Sequence, residues 1–220
     1  SYLKRKIAIL PLEEGVSSPL FSPKEATQVL TDRIRKKVLS VKVVDYPTVQ
    51  SVMEKLKIGD LKEKRNLQRL GAALGVQGIM VGKIYGPFVF YLEEEGVEEE
   101  GERRPLCSVE IRLKLIDTLR GEELEEFKLT KSLLKAAGED IYEEVVASAV
   151  DEEIDRLRKI FSRMPWYTRV ALVEGNATYL LAGSESGLKE GDILEVYSPS
   201  DFHTPKGKVR VGRLFGLDGA

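Results

Sequence analysis

Two of the side chains most often used in catalysis and metal binding occur only once each in these 220 residues, as Cys107 and His203. Zinc sites, thiolate clusters and Cys-His nucleophile pairs need several such groups together, so only a Cys107 and His203 pair is open, and nothing in the sequence supports it. No metal site is expected. A lone Cys forms no internal disulfide, and Cys107 reads as a free buried thiol. His203 stands in Pro199-Ser200-Asp201-Phe202-His203-Thr204-Pro205, a turn between two strands. A dyad with Asp201 is available on paper, but no nucleophile accompanies it.

Other patterns lead no further toward catalysis. Gly183-Ser184-Glu185-Ser186-Gly187 approaches a phosphate loop, yet it lacks the Gly-Lys-Ser/Thr ending and runs into a strand. Leu70-Gly71-Ala72-Ala73-Leu74-Gly75-Val76 places glycines before a strand, the reverse of a dinucleotide-binding turn. No cofactor is expected from either. Asn176-Ala177-Thr178 matches a glycosylation acceptor, a pattern too short to carry weight. Trp166 and Tyr167, after Pro165, are expected to pack a junction between domains.

The strongest charge feature runs from Glu93 to Arg104. Glu93, Glu94, Glu95, Glu98, Glu99 and Glu100 are followed by Arg103 and Arg104, with Gly96 and Gly101 between. Such a stretch cannot enter a core and reads as a solvent loop. Its clustered oxygens could attract calcium weakly, but the ligand spacing of an EF-hand is absent. These eight residues are the candidate partner-binding loop.

The composition sets the frame. Hydrophobic residues make up 42% and charged residues 32%, as in an ordinary globular chain. Thirty-four Lys and Arg oppose 36 Asp and Glu for a net charge of -2, so no excess exists to hold nucleic acid or an anionic bilayer. The apolar runs are strand-sized, so no transmembrane segment is expected. The sequence opens on Ser1, and an upstream signal peptide or lipid anchor, since removed, is the expectation.

Periodicity supplies the elements that would position any site. Ile7 to Leu12 is a strand buried on both faces, ended by Glu13-Glu14-Gly15. Ser22, Pro23 and Glu25 form a helix start with a capping box, and Ala26, Leu30, Ile34 and Val38 follow as one stripe. Val41 to Tyr46 is a second strand, and a helix from Pro47 carries Val49, Val52, Met53 and Leu56. A third helix, Glu63 to Leu74, buries Leu67, Leu70 and Leu74 and is capped by Gly75. A strand follows over Val76 to Tyr85. Cys107 to Ile116 alternates as an antiparallel strand with one wet face, turns at Asp117 to Gly121 and returns over Leu124 to Leu129 with a bulge near Glu125 and Glu126. One long helix, Glu139 to Ser162, stops at Met164-Pro165. Beyond it, runs at Thr168 to Val173, Thr178 to Leu181, Asp192 to Tyr197 and Lys208 to Phe215 read as a small all-β domain, incomplete at Ala220. The boundaries are 1–163 and 164–220.

Four segments resemble bacterial envelope domains of the CsgG, LpoB and TolB amino-terminal type. They are Lys6 to Leu12, Val41 to Asp45, the helix-to-strand stretch Leu70 to Ile84, and Val109 to Glu122 with its Asp117-Thr118-Leu119-Arg120-Gly121-Glu122 turn. Gly187 to Tyr197 with Gly207 to Leu214 is similar to the carboxy-terminal β domain of the flagellar assembly protein FlgT, in which a TolB-like domain precedes that module. The resemblance implies an α+β fold with a mixed sheet covered by helices, followed by a small SH3-like β-barrel. It implies a non-enzymatic periplasmic or outer-membrane-associated protein that binds other envelope proteins, as a homo-oligomer or ring, in assembling a flagellar or curli-type structure, with no catalytic residues to carry over. The alternative is an LpoB-like activator docking onto a periplasmic cell-wall enzyme, and the less favoured one a hydrolase or small-molecule binder. Pore formation is disfavoured, because Glu93 to Arg104 cannot face lipid.

Overall fold

The computed structural model describes residues 3–16, 18–92, 104–134 and 140–212. Arg5–Ile9 forms β1, and its apolar residues are buried, as expected of an interior strand. The chain does not leave the sheet at Glu13. Glu13–Val16 forms a short β2, exposed throughout, which pairs in parallel with a later strand. Main-chain pairing holds it there without an apolar pattern to announce it. Gly15 is required at this point, since a Cβ would lie 2.6 Å from the Tyr85 ring.

Helix α1 spans Pro23–Lys37 and starts as the sequence dictates. Ser22 accepts from the Glu25 N–H at 3.2 Å, while the Glu25 carboxylate accepts from the Ser22 N–H at 2.7 Å. β3 is Val41–Val44. α2, Tyr46–Leu56, is capped by Asp45, which accepts from the Thr48 N–H at 2.8 Å. α3, Lys64–Leu74, ends on Gly75 with φ 63°, the left-handed cap that glycine adopts without strain.

Three long strands follow: β4 at Gly78–Leu92, β5 at Arg104–Asp117 and β6 at Glu122–Leu134. All outrun the sequence expectation, because their distal halves mix polar and apolar residues and lack clean alternation. The bulge falls where expected: the β5–β6 register shifts between Leu115 and Ile116, whose partners are Glu125 and Glu123. The long helix is broken into α4, Ile141–Glu152, and α5, Ile154–Arg163. At the break the Glu153 N–H bonds Val150 O at 3.1 Å, a tightened turn that redirects the apolar stripe.

The sheet runs β3-β1-β4-β5-β6, with β2 also on β4. β1 pairs in parallel with β3 and β4, and β5 is antiparallel to both its neighbours. The sheet is therefore mixed, and the fold is α+β. Helices lie on both faces. On one, Leu30 and Ile34 of α1, Val146 and Val150 of α4, and Leu157 and Phe161 of α5 pack on Ile7, Met80, Ile111, Leu113 and Leu129. On the other, Val49 of α2 and Leu67, Leu70 and Leu74 of α3 pack on Ala8, Leu10, Ile79 and Ile116. That second layer leaves most of the β5–β6 face open.

After α5 come β7, Val170–Glu174, and β8, Ala177–Leu180, as one hairpin. A single 3-10 turn at Ser184–Ser186 leads to β9, Ile193–Ser198, and β10, Asp201–Arg210, as another. Among the described residues the two hairpins form separate two-stranded sheets and close no barrel. No helix among the described residues is long and apolar enough to cross a membrane.

Candidate protein-interaction surface

The residues singled out for chemistry do not converge. Cys107 lies in the core beneath α4, and burial pushes its thiol above the usual range. His203 is on β10 and exposed, not in the turn. The Asp201 carboxylate accepts from the main-chain N–H groups of His203 and Thr204 at 3.0 and 3.1 Å and faces Lys206 Nζ at 3.4 Å. These contacts hold Asp201 below the ordinary carboxylate range. The pair shapes a turn, because the carboxylate meets the backbone of His203 and leaves its ring alone.

The glycine loop at 183–187 is occupied by its own side chain. Glu185 accepts from the Gly183 N–H at 3.2 Å, where a phosphate would have to sit. Asn176 is in the exposed two-residue turn between β7 and β8. Of the candidate loop, Glu93, Glu94, Glu95, Glu98, Glu99, Glu100 and Arg103 lie outside the described residues. The backbone of Arg104 opens β5 opposite Leu92.

Trp166 and Tyr167 tie the chain after α5 back to the sheet and to the lead into β1. Trp166 Nε1 donates to Lys4 O at 3.2 Å. Gln77, buried, accepts from the Lys6 N–H and donates to Tyr167 O. Thr118, fully buried, meets Val76 O at 2.5 Å and the Tyr167 hydroxyl at 2.6 Å. Arg5 Nε reaches Met164 O at 2.9 Å, and the Lys4 N–H reaches Ser186 O at 2.8 Å. The lead into β1 is thus held between the sheet and the chain after α5.

The open face of β4–β5–β6 carries an ion-pair lattice. Arg112 meets Glu110 at 2.6 Å and stacks over Tyr85 with 4.8 Å to the ring centre. Lys128 meets Glu110 at 3.4 Å, and Lys114 meets Glu123 at 2.8 Å and Glu126 at 3.7 Å. The Arg112 hydrogen bond holds Glu110 below its usual range, so this carboxylate is no proton donor near neutrality. Beside it lies a cleft of about 520 Å³, lined by Tyr85, Phe88, Ser108, Glu110, Thr130 and Ser132 among others. The Ser108 and Ser132 hydroxyls bond each other at 2.9 Å.

Past this lattice the surface turns apolar. Phe90 and Leu134, at the distal ends of β4 and β6, share this face and are 54% and 53% exposed, and Phe88 packs on Phe90 with ring centres 6.4 Å apart; Tyr91, also exposed, points to the opposite face. A cluster of large apolar groups left in water is what a protein-binding surface looks like before its partner arrives. Sequence reasoning missed it by ending β4 at Tyr85. The alternation Phe88, Phe90 against Ser108 across the ladder was the available signal.

No protein-family model and no curated protein sequence matches the chain. Among solved structures it is similar to lipoprotein GNA1162 from Neisseria meningitidis, with 12% identity over 69% of this chain and 99% of that one and a TM-score of 0.46. The LpoB C-terminal domain from Salmonella enterica aligns at 12% identity over 61% of this chain and 86% of its own, with a TM-score of 0.40. The PelC dodecamer from Paraburkholderia phytofirmans aligns at 13% identity over 68% and 88%, again with a TM-score of 0.40. At these identities and TM-scores the likeness assigns the chain neither function nor partner.

Proposed function

We propose that this chain is a non-enzymatic protein of the bacterial envelope, periplasmic or held at the outer membrane by an upstream lipid, that binds other envelope proteins during assembly of a surface structure. The observation that carries the reading is the exposed apolar end of the sheet's open face, Phe90 and Leu134 with Phe88 beside them, on strands that run beyond their helical cover. Rigid strands offering aromatic anchors next to a polar rim have the anatomy of a protein interface. The FlgT-like resemblance of the carboxy-terminal segment directs the reading to flagellar or curli-type assembly. Docking as an activator on a cell-wall enzyme would use the same surface with one partner.

A photo-reactive residue placed at Phe90 or Leu134 in the protein produced in its own cells tests this. Cross-links to a discrete envelope protein are expected, and Leu134→Ser behind a probe at Phe90, or Phe90→Ser behind a probe at Leu134, is expected to weaken them severalfold. Cross-links to lipid alone, or none while controls on α1 behave identically, would overturn the reading.

A further inference from the structure

We infer that the outer edge of β6 is a self-association site, where a second copy of this chain adds its own β6 antiparallel and joins two sheets into one. The inference is independent of the distal apolar end. Among the described residues no strand pairs with that edge, so a strand of 13 residues presents a row of open main-chain donors and acceptors.

Unpaired edges are commonly guarded by charge, because an arbitrary register sets like charges face to face. The charges on β6 are ordered differently. Glu122, Glu123, Glu125 and Glu126 precede Phe127, and Lys128 and Lys131 follow it. A two-fold axis through Phe127 sets positions symmetric about it opposite each other, so Glu126 of each copy meets Lys128 of the other. Glu126 already has Lys114 beside it at 3.7 Å, and Lys128 has Glu110 at 3.4 Å. The added strand therefore continues an alternation of sign that β5 and β6 begin.

The neighbouring registers fail. Centring on Lys128 opposes it to itself, and centring on Glu126 does the same for that carboxylate. Centring between residues would oppose positions of unlike face, which the pleat forbids. Of the registers that keep face, only the one centred on Phe127 pairs unlike charges and opposes no like ones, and a surface that complements itself selects a second copy over an unrelated protein.

Sedimentation of the full chain over a concentration series tests this. A monomer–dimer equilibrium that weakens with added salt is expected. Lys128→Glu and Glu126→Lys should each weaken it about tenfold or more, since each reversal turns two attractions into two repulsions. Both side chains are more than half exposed, so the like-charge contact each reversal makes with Glu110 or Lys114 is screened by solvent and each variant should still fold, as a cooperative thermal melt would show. The double reversal should restore the dimer to within about threefold of the parent. A monomer at every concentration, an assembly that neither reversal weakens, or a double reversal that fails to restore it overturns the proposal.

Discussion

The hydroxyls of Thr118 and Tyr167 lie 2.6 Å apart at the point where the chain leaving α5 crosses the end of the sheet. Thr118 is fully buried and serves Val76 O as well, so the half-buried phenol completes its polar cluster. Burial, partly opposed by the Thr118 hydrogen bond, pushes Tyr167 up to about 12.

That shift predicts an alkaline instability. The folded state holds the neutral phenol more tightly than the unfolded chain, where tyrosine ionises near pH 10. The stabilisation is therefore complete below about pH 10 and is lost as pH rises through about 12. Urea unfolding across this range should show a fall in stability that Tyr167→Phe flattens; an unchanged slope in the variant would remove the phenol as its cause.

Gln77 joins three segments with one amide, bonding the Lys6 N–H and Tyr167 O. Gln77→Leu keeps much of the volume and leaves both main-chain groups without that partner. A loss of about 1–3 kcal/mol in denaturant unfolding is expected, together with faster proteolytic cleavage near Arg163.

Gly71 lies inside α3, where Ala would ordinarily gain up to about 1 kcal/mol. A Cβ there would stand 2.3 Å from Thr118 Cβ. Gly71→Ala should therefore destabilise, by about 1–3 kcal/mol, and thermal melts of Gly71→Ala with and without Thr118→Ser would reveal the contact as non-additive.

Cys107 is fully buried and its thiol is raised by burial. An aromatic disulfide reagent at pH 8 should leave it untouched in the folded protein and modify it only as fast as the core opens. Rapid labelling under native conditions would contradict its placement.

The helical layer was legible because its signals are local. Ser22, Pro23 and Glu25 write a capping box in four residues, and Gly75 marks the left-handed end of α3. The interior strand β1 was legible for the same reason, as an uninterrupted apolar run. What escaped depends on partners far along the chain. β2 is exposed at every position and exists only because β4 offers it a ladder. The distal halves of β5 and β6 are held by pairing with each other, not by a pattern either strand carries alone. Of the candidate site, a packing role for Trp166 and Tyr167 was readable from a bulky pair after a helix stop. The exposed end at Phe90 and Tyr91 was hidden behind Gly86-Pro87, a dipeptide that reads as the end of a strand but here lies inside one.

The lead into β1 has a further consequence for how the molecule comes to exist. Trp166 and Lys4 share a hydrogen bond across 162 positions of chain, and β1 itself lies between two strands that are made after it. Emerging from the ribosome, this segment appears before the strands that flank it and before Trp166, and is among the last to find its place. Until the late partners arrive its apolar residues must wait, exposed, so the stretch most committed to the interior is also the one most in need of protection during synthesis.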